Sequence, residues 1–348
     1  MKMQELETLC KLCGTSGREN DVRVYILNEI KALGLTPTVD NLGNVLVHKE
    51  GRERAKHKLM FSAHMDEVAL MVTAITEDGS LKFDMVGGVS AAAVIGRQVL
   101  VGKQQVLGVI GTKPVHHLSC SEKKSPVKMS ELCVDIGAKS KEEAQTLVRL
   151  GDIVYFMPEY REFGDGCIAA KAIDDRFGCA VLLSLLRQDL PYDTEFAFVV
   201  QEEVGLRGAG VAANTIAPEF AVVFEATTAA DVAGCSGADA VCKLGGGAVI
   251  SFMDGRTVYD AELYRSATEL AEQQGIAWQT KTKIAGGNDA GAIQNAAHGV
   301  RVLAVSVPCR YLHSPVCVIR QSDAEACEAL AKSLIPMIQT MGDSTDDC

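Results

Sequence analysis

Two adjacent carboxylates, Glu202-Glu203, stand just after the apolar run Glu195-Phe196-Ala197-Phe198-Val199-Val200 and just before Gly205 and Gly208. A run rich in Val and Phe reads as a buried strand. Acids at its mouth repel each other and lose solvation, so a bound cation is the simplest counterweight. A solvated loop carrying two surface acids is the competing reading. Metal-type residues recur at the ends of other predicted strands: His64-Met65-Asp66 after 59–63, Glu225 after 220–224 and His313 after 302–307. Asp174-Asp175 opens a predicted helix over 175–186. Two imidazoles with three or four carboxylates suit divalent zinc, and a bridging carboxylate would support a two-metal site. Strand geometry puts His64 and Asp66 on one face, where Asp66 can fix the imidazole that meets a metal. Of Glu202 and Glu203, one can ligate while the other stays free as a base toward water. The plain alternatives are a hydrogen-bonded core histidine at 64 and a helix N-cap at 174–175.

Elements that alternate β and α would gather such distant residues, because the carboxyl ends of parallel strands converge on one crevice. Helices are predicted over 6–13 and 20–33, with Gly34 as a C-cap, and strands over 36–40, 45–48 and 59–63. From about 69 to 157 the texture changes to short β-like runs at 69–76, 81–85, 98–101 and 106–110. One helix there is opened by a capping box at Ser140 and Glu143. The βα alternation returns with 175–186, the strands 195–200 and 220–224, a helix over 258–274 and a strand over 277–283. A short helix at 289–296, a strand at 302–307 and a last helix at 322–341 follow, with a frayed tail at 342–348. The expected fold class is α/β: a mostly parallel three-layer αβα domain formed by 1–67 and 160–348, interrupted at 68–159 by a β-rich barrel or sandwich.

The chain has 348 residues, long enough for two domains or one with an insertion, and its 47% hydrophobic and 23% charged content fits a globular protein. A net charge of -11 argues against nucleic acid or an anionic membrane as partner. No apolar run is long enough to span a bilayer, and the acidic start at 1–7 is unlike a signal peptide, so a cytoplasmic location is expected. The twelve cysteines are scattered, often in apolar settings such as Cys179 and Cys242. Cys10 and Cys13, with Leu6 and Leu9, fall at helical spacing, which favours a helix face over a redox or zinc site.

Five stretches, SAHMDEVAL, AKAIDDRFG, VVQEEVGLRGAG, GGNDAGAI and VPCRYLHSP, resemble the motif set of the tetrahedral aminopeptidases, dinuclear-metal exopeptidases that include glutamyl and deblocking enzymes. GTKPVHHL, ELCVDIGAKSKEEA and GDIVYF resemble that family's inserted domain, so the likeness runs in order along nearly the whole chain. The resemblance implies that His64 and Glu225 are terminal ligands of one metal and Glu203 and His313 of the other, with Asp174 bridging. It implies Glu202 as general base and Asp66 as the partner of His64. It also implies a cis peptide between Asp174 and Asp175, a dimerising insertion, and dimers assembled into a hollow dodecamer. The cofactors it implies are two divalent ions per subunit, zinc or else cobalt or manganese. Its substrates are short peptides with a free N-terminus.

The chain departs from the family at one ligand, with Glu225 where an Asp is usual; Asp231 lies nearby but in a poorer match. The longer arm still reaches a metal while shifting the carboxylate. The inserted domain implies an interface role for His116 or His117, near a partner's pocket. Gly245-Gly246-Gly247 lacks the ending of a phosphate loop and is read as a close-approach loop lining the substrate cleft. The alternatives to an aminopeptidase are a carboxypeptidase or amide deacylase on the same core, or a catalytically silent assembly protein.

Overall fold

The computed structural model describes residues 1–342; the predicted frayed tail otherwise lies outside the described residues. An eight-stranded sheet runs in the spatial order Thr38–Val39, Val45–Lys49, Thr194–Val199, Leu59–His64, Phe220–Thr228, Arg301–Cys309, Ala248–Ser251, Trp278–Thr280. Its four central strands, from Thr194–Val199 to Arg301–Cys309, are mutually parallel. Antiparallel pairing is confined to the flanks.

Strand alternation divides the apolar side chains into two cores. Phe61, Phe196, Phe198, Val222 and Phe224 enter the larger one, packed with Met3–Lys11, Asn20–Ala32, Ile173–Leu186 and Gln321–Ile338. Met60, Ala197, Val199, Ala221 and Val223 point the other way, against Arg207–Ile216 and Ala290–Ile293. The expected three-layer αβα arrangement is therefore present. The strands between Ala69–Ile75 and Ile153–Phe156 close into a six-stranded barrel around a third core that includes Leu70, Val99, Val134 and Phe156. Among the described residues no helix is long and apolar enough to cross a membrane.

Several elements differ from the sequence expectation for physical reasons. The helix expected from 258 begins as Ala261–Gln274, because the Asp260 carboxylate accepts the Leu263 amide at 2.8 Å and caps it there. Arg207–Ile216 was not anticipated, since its glycines are poor helix formers. Gly208 is required by contact: a Cβ there would lie 2.4 Å from the Val200 carbonyl oxygen. Ser140 does cap Lys141–Leu147 through the Glu143 amide, but the Glu143 carboxylate accepts from Lys139 rather than from Ser140. Cys10 is buried on the first helix, which ends at Lys11 before Cys13. The 245–247 loop does not line the large cavity described below. Its Gly245 and Gly247 amides instead donate to the buried Asp323 carboxylate at 2.7 and 2.8 Å.

Candidate active site

The carboxyl ends of the parallel strands deliver the site residues. His64 is the last residue of Leu59–His64 and pairs in register with Val199, so the chain after Val199 emerges beside it. There it turns sharply: Gln201 and Leu206 take left-handed φ of 58° each, and the Gly205 amide closes on the Glu202 carbonyl at 2.9 Å. Asn44 anchors this strand end, accepting from the Val200 amide at 2.9 Å and donating to the Gly208 carbonyl at 3.0 Å. Glu225 lies within the next strand, Phe220–Thr228, and His313 follows Arg301–Cys309 in a loop where Tyr311 and His313 itself have positive φ.

Seven predicted residues meet here. The two oxygens of Asp174 face two imidazoles: Oδ1 is 3.3 Å from His64 Nε2 and Oδ2 is 3.4 Å from His313 Nε2. Glu225 Oε2 is 3.6 Å from His64 Nε2, and Glu203 Oε2 is 3.5 Å from His313 Nε2. Ligand atoms of His64, Asp174 and Glu225 lie within 4.8 Å of one another, as do those of Asp174, Glu203 and His313 and those of His64, Glu202 and Glu203. Asp174 thus belongs to two triads. The Asp174-Asp175 peptide is cis. Asp175 turns away and accepts the Gly178 amide at 2.8 Å, so the capping reading holds for it and not for Asp174.

Asp66 proves more deeply engaged than the sequence suggested. His64 Nδ1 donates to the Asp66 main-chain carbonyl at 3.1 Å, which leaves Nε2 free to face the acids. The Asp66 carboxylate is 3.4 Å from the same nitrogen, and its tighter contacts lie elsewhere. Oδ1 accepts the Glu202 amide at 3.0 Å; Oδ2 accepts the Glu203 amide at 3.1 Å and the Ser16 hydroxyl at 2.6 Å. Behind it, Glu67 is buried with Lys171 at 2.7 Å and Arg176 at 3.3 Å. Asp231, the other acid near Glu225 in sequence, is bound at 2.7 Å by Arg310 and stands apart from the cluster.

The inserted barrel borders the site: a Cβ on Gly87 would lie 3.2 Å from Glu203 Cβ, and one on Gly88 3.4 Å from His313 Nδ1. The site opens into a cavity of about 670 Å³ whose lining includes Asp174, Glu202, Glu203, Glu225, His313 and Arg256.

The residues fit a resident cation. Asp174 Oδ1, Glu203 Oε1 and Glu225 Oε1 are buried without a hydrogen-bond partner, which is costly unless something else satisfies them. Imidazole nitrogens with carboxylate oxygens are the donors that divalent metals of the zinc type take. The chain matches the M42 glutamyl aminopeptidase family over residues 43–330. The chain belongs to that family. It is 31% identical to the lysyl aminopeptidase of Pyrococcus furiosus over 94% of this chain and 95% of that one. The solved aminopeptidase of the archaeon Desulfurococcus kamchatkensis superposes with a TM-score of 0.90 at 33% identity, covering 98% of this chain and 97% of the other. The Pyrococcus horikoshii TET1 peptidase, which can assemble into a tetrahedron or a large octahedral shell, gives 0.84 at 35% identity, covering 96% and 98%.

The electrostatics of this M42 peptidase follow from packing many acids together. Burial pushes the Glu202 carboxyl up to about 11, with Glu225, Asp289 and Glu203 adding to it against the pull of His64. Burial likewise raises Glu203 to about 8 and Glu225 to about 7. Burial would raise Asp174 too, but the imidazoles of His313 and His64 beside it hold it well below the usual carboxylate range. A hydrogen bond to Asp174 raises His313 to about 9. Asp289, which the sequence offered only inside a motif, is fully buried with neither carboxylate oxygen partnered, and burial keeps its carboxyl far above the usual range. Nothing in its sequence neighbourhood marked it apart from any other helix-opening acid.

Proposed function

We propose that this M42 peptidase is a dinuclear metal-dependent aminopeptidase that removes N-terminal residues from short peptides. The observation that carries the reading is Asp174, whose two oxygens face two separate His-Glu pairs at 3.3 and 3.4 Å. His64 and Glu225 would hold one cation and Glu203 and His313 the other, with Asp174 offering one oxygen to each. Divalent ions held there, zinc in the first place, would supply Lewis-acid polarisation of the scissile carbonyl and a more acidic water. Glu202 takes the proton from that water at its carboxylate and delivers it to the leaving amine. Asp66, through the Glu202 and Glu203 amides, keeps both carboxylates at their stations. The cluster of acids receives the cationic N-terminus of the peptide, which restricts cleavage to chain ends.

The barrel, with 68–159 as the inserted domain, is the dimerising unit, and dimers build a dodecamer. Exposed Met85, Leu107 and Val109 on barrel strands support this, as does the assembly named for the Pyrococcus horikoshii relative. His116 or His117, both exposed on a short turn of the insertion, would take part in that interface. The described cysteines are all unpaired, in keeping with a cytoplasmic setting.

The test measures release of N-terminal residues from free and N-acetylated peptides by protein stripped and reloaded with zinc, cobalt or manganese. Cleavage of free peptides alone, two metals bound per chain, and a loss of about 10²–10⁴-fold in kcat for Glu202→Gln with metal content unchanged are expected. Cleavage that survives acetylation, or full activity in Glu202→Gln, overturns the reading.

A further inference from the structure

The cavity that holds the acidic cluster also carries cations, and among the described residues only one of them is uncommitted. Lys281 Nζ donates to the Ala285 carbonyl at 2.8 Å, and Lys283 lies 3.3 Å from Asp239. Arg256 lines the same cavity, and its guanidinium has no hydrogen-bond or ion-pair partner among the described residues.

Arg256 is nevertheless held in place. The buried Asp254 carboxylate accepts the Arg256 and Thr257 amides at 2.7 and 2.8 Å and the Tyr259 hydroxyl at 2.6 Å, which fixes the turn. The Gly255 amide ties that turn to the Gly286 carbonyl at 2.7 Å. The aliphatic stem then lies over two glycines: a Cβ on Gly287 would come 2.6 Å from Arg256 Cγ, and one on Gly291 3.1 Å from its Cβ. Gly287 shows no positive φ, so its lack of a side chain answers to this stem and not to its backbone. The result is a guanidinium fork with a seated stem, in one cavity with a cluster of carboxylates.

We propose that Arg256 receives a carboxylate of the peptide substrate. The proposal rests on the aminopeptidase reading and extends it. A peptide whose amine is drawn to the acidic cluster has its own carboxylates repelled from that cluster, and a guanidinium is the planar two-point partner they fit. Two sources offer that group: an acidic first side chain, or the free C-terminus of a dipeptide.

Paired substrates separate the sources in the metal-loaded enzyme: glutamyl against glutaminyl anilide, and Ala-Ala against its C-terminal amide. Wild type favours the carboxylate member of one pair by about tenfold or more in kcat/KM, carried mainly by KM, as loss of an exposed charge-assisted contact would predict. The pair that shows it names the source. Arg256→Gln collapses that ratio toward one and Arg256→Lys restores part of it. Gly287→Ala, which displaces the stem while keeping the guanidinium, lowers it as well. Hydrolysis of all four substrates with both ratios below about twofold in wild type, or a ratio that survives Arg256→Gln, overturns the proposal and leaves the aminopeptidase reading intact. If no substrate with a free N-terminus is cleaved, both fall together.

Discussion

Replacing Asp66 by Asn removes one charge and swaps one oxygen for an NH2 group, and the surroundings determine the cost. Each carboxylate oxygen already accepts a backbone amide, Oδ1 from Glu202 at 3.0 Å and Oδ2 from Glu203 at 3.1 Å. Wherever the new NH2 sits, it faces an N–H donor and leaves it unsatisfied. A donor stranded in this way costs about 1–3 kcal/mol, and loss of charge assistance at the remaining contacts adds about 1 kcal/mol. The expected destabilisation is therefore about 2–4 kcal/mol in metal-stripped protein at pH 7, where Asp66 is ionised because its His64, Ser16 and amide contacts outweigh burial. Denaturant unfolding of the two stripped proteins measures it. A second consequence is catalytic: with Glu202 and Glu203 no longer pinned, kcat falls about 10²-fold even at saturating zinc, as expected for a misplaced catalytic group. Metal affinity drops about 10–100-fold as Glu203, a proposed ligand, loses the carboxylate that holds its amide. Destabilisation below about 1 kcal/mol with kcat within threefold of wild type would refute the assigned role of Asp66.

Stability of the metal-stripped protein should fall as pH rises. Glu225 and Glu203 shift from an ordinary 4.5 to about 7 and about 8, so between those values the folded state holds more protons than the unfolded chain, and this stability is lost as the folded carboxyls ionise. His313, raised from 6.5 to about 9, extends the fall. A Tm that stays level or climbs from pH 5 to 9 in chelated protein contradicts this, and added zinc should remove the trend because its ligands bind deprotonated. Gly178→Ala places a Cβ 2.2 Å from Asp175 Oδ2 and 2.8 Å from Ala63 Cβ, so it should cost about 1–3 kcal/mol or more despite the better helix propensity of Ala. A Tm equal to wild type would show that the helix can retreat from the strand.

Much of the fold was legible because its strands are buried on both faces and end abruptly. Runs such as Phe220 to Phe224 read as strands from composition alone, and the polar residue after each marks a strand mouth. The site residues were legible for the same reason: His, Asp and Glu are conspicuous where an apolar run stops. What escaped depends on contacts distant in sequence. Arg207–Ile216 is made of small residues whose fitness lies in close approach to the sheet, and Gly208 announces flexibility while serving proximity. The 245–247 loop looked like part of a ligand cleft because its partner, Asp323, is 76 residues from Gly247. Asp66 was legible as the neighbour of His64, whereas its hold on the Glu202 and Glu203 amides joins segments 136 and 137 residues apart.

The charges around the cluster bear on how many cations it takes. Asp66, Asp174, Glu202, Glu203 and Glu225 bring five negative charges when ionised, and burial raises the carboxyls of Asp175 and Asp289 above the usual range. Directly behind them, buried Lys171 and Arg176 share the single carboxylate of Glu67, which leaves one positive charge under the site. With neutral imidazoles the surplus from these five carboxylates is four negative charges, and unpaired buried charges are expensive. One divalent ion would leave half of that surplus uncompensated and would use only one face of Asp174. Two divalent ions would neutralise it and would find a triad each. Charge balance and ligand geometry are thus both compatible with the two-cation reading proposed above. The Glu67 triad has its part in this: two cations against one acid place a net positive charge behind the five carboxylates.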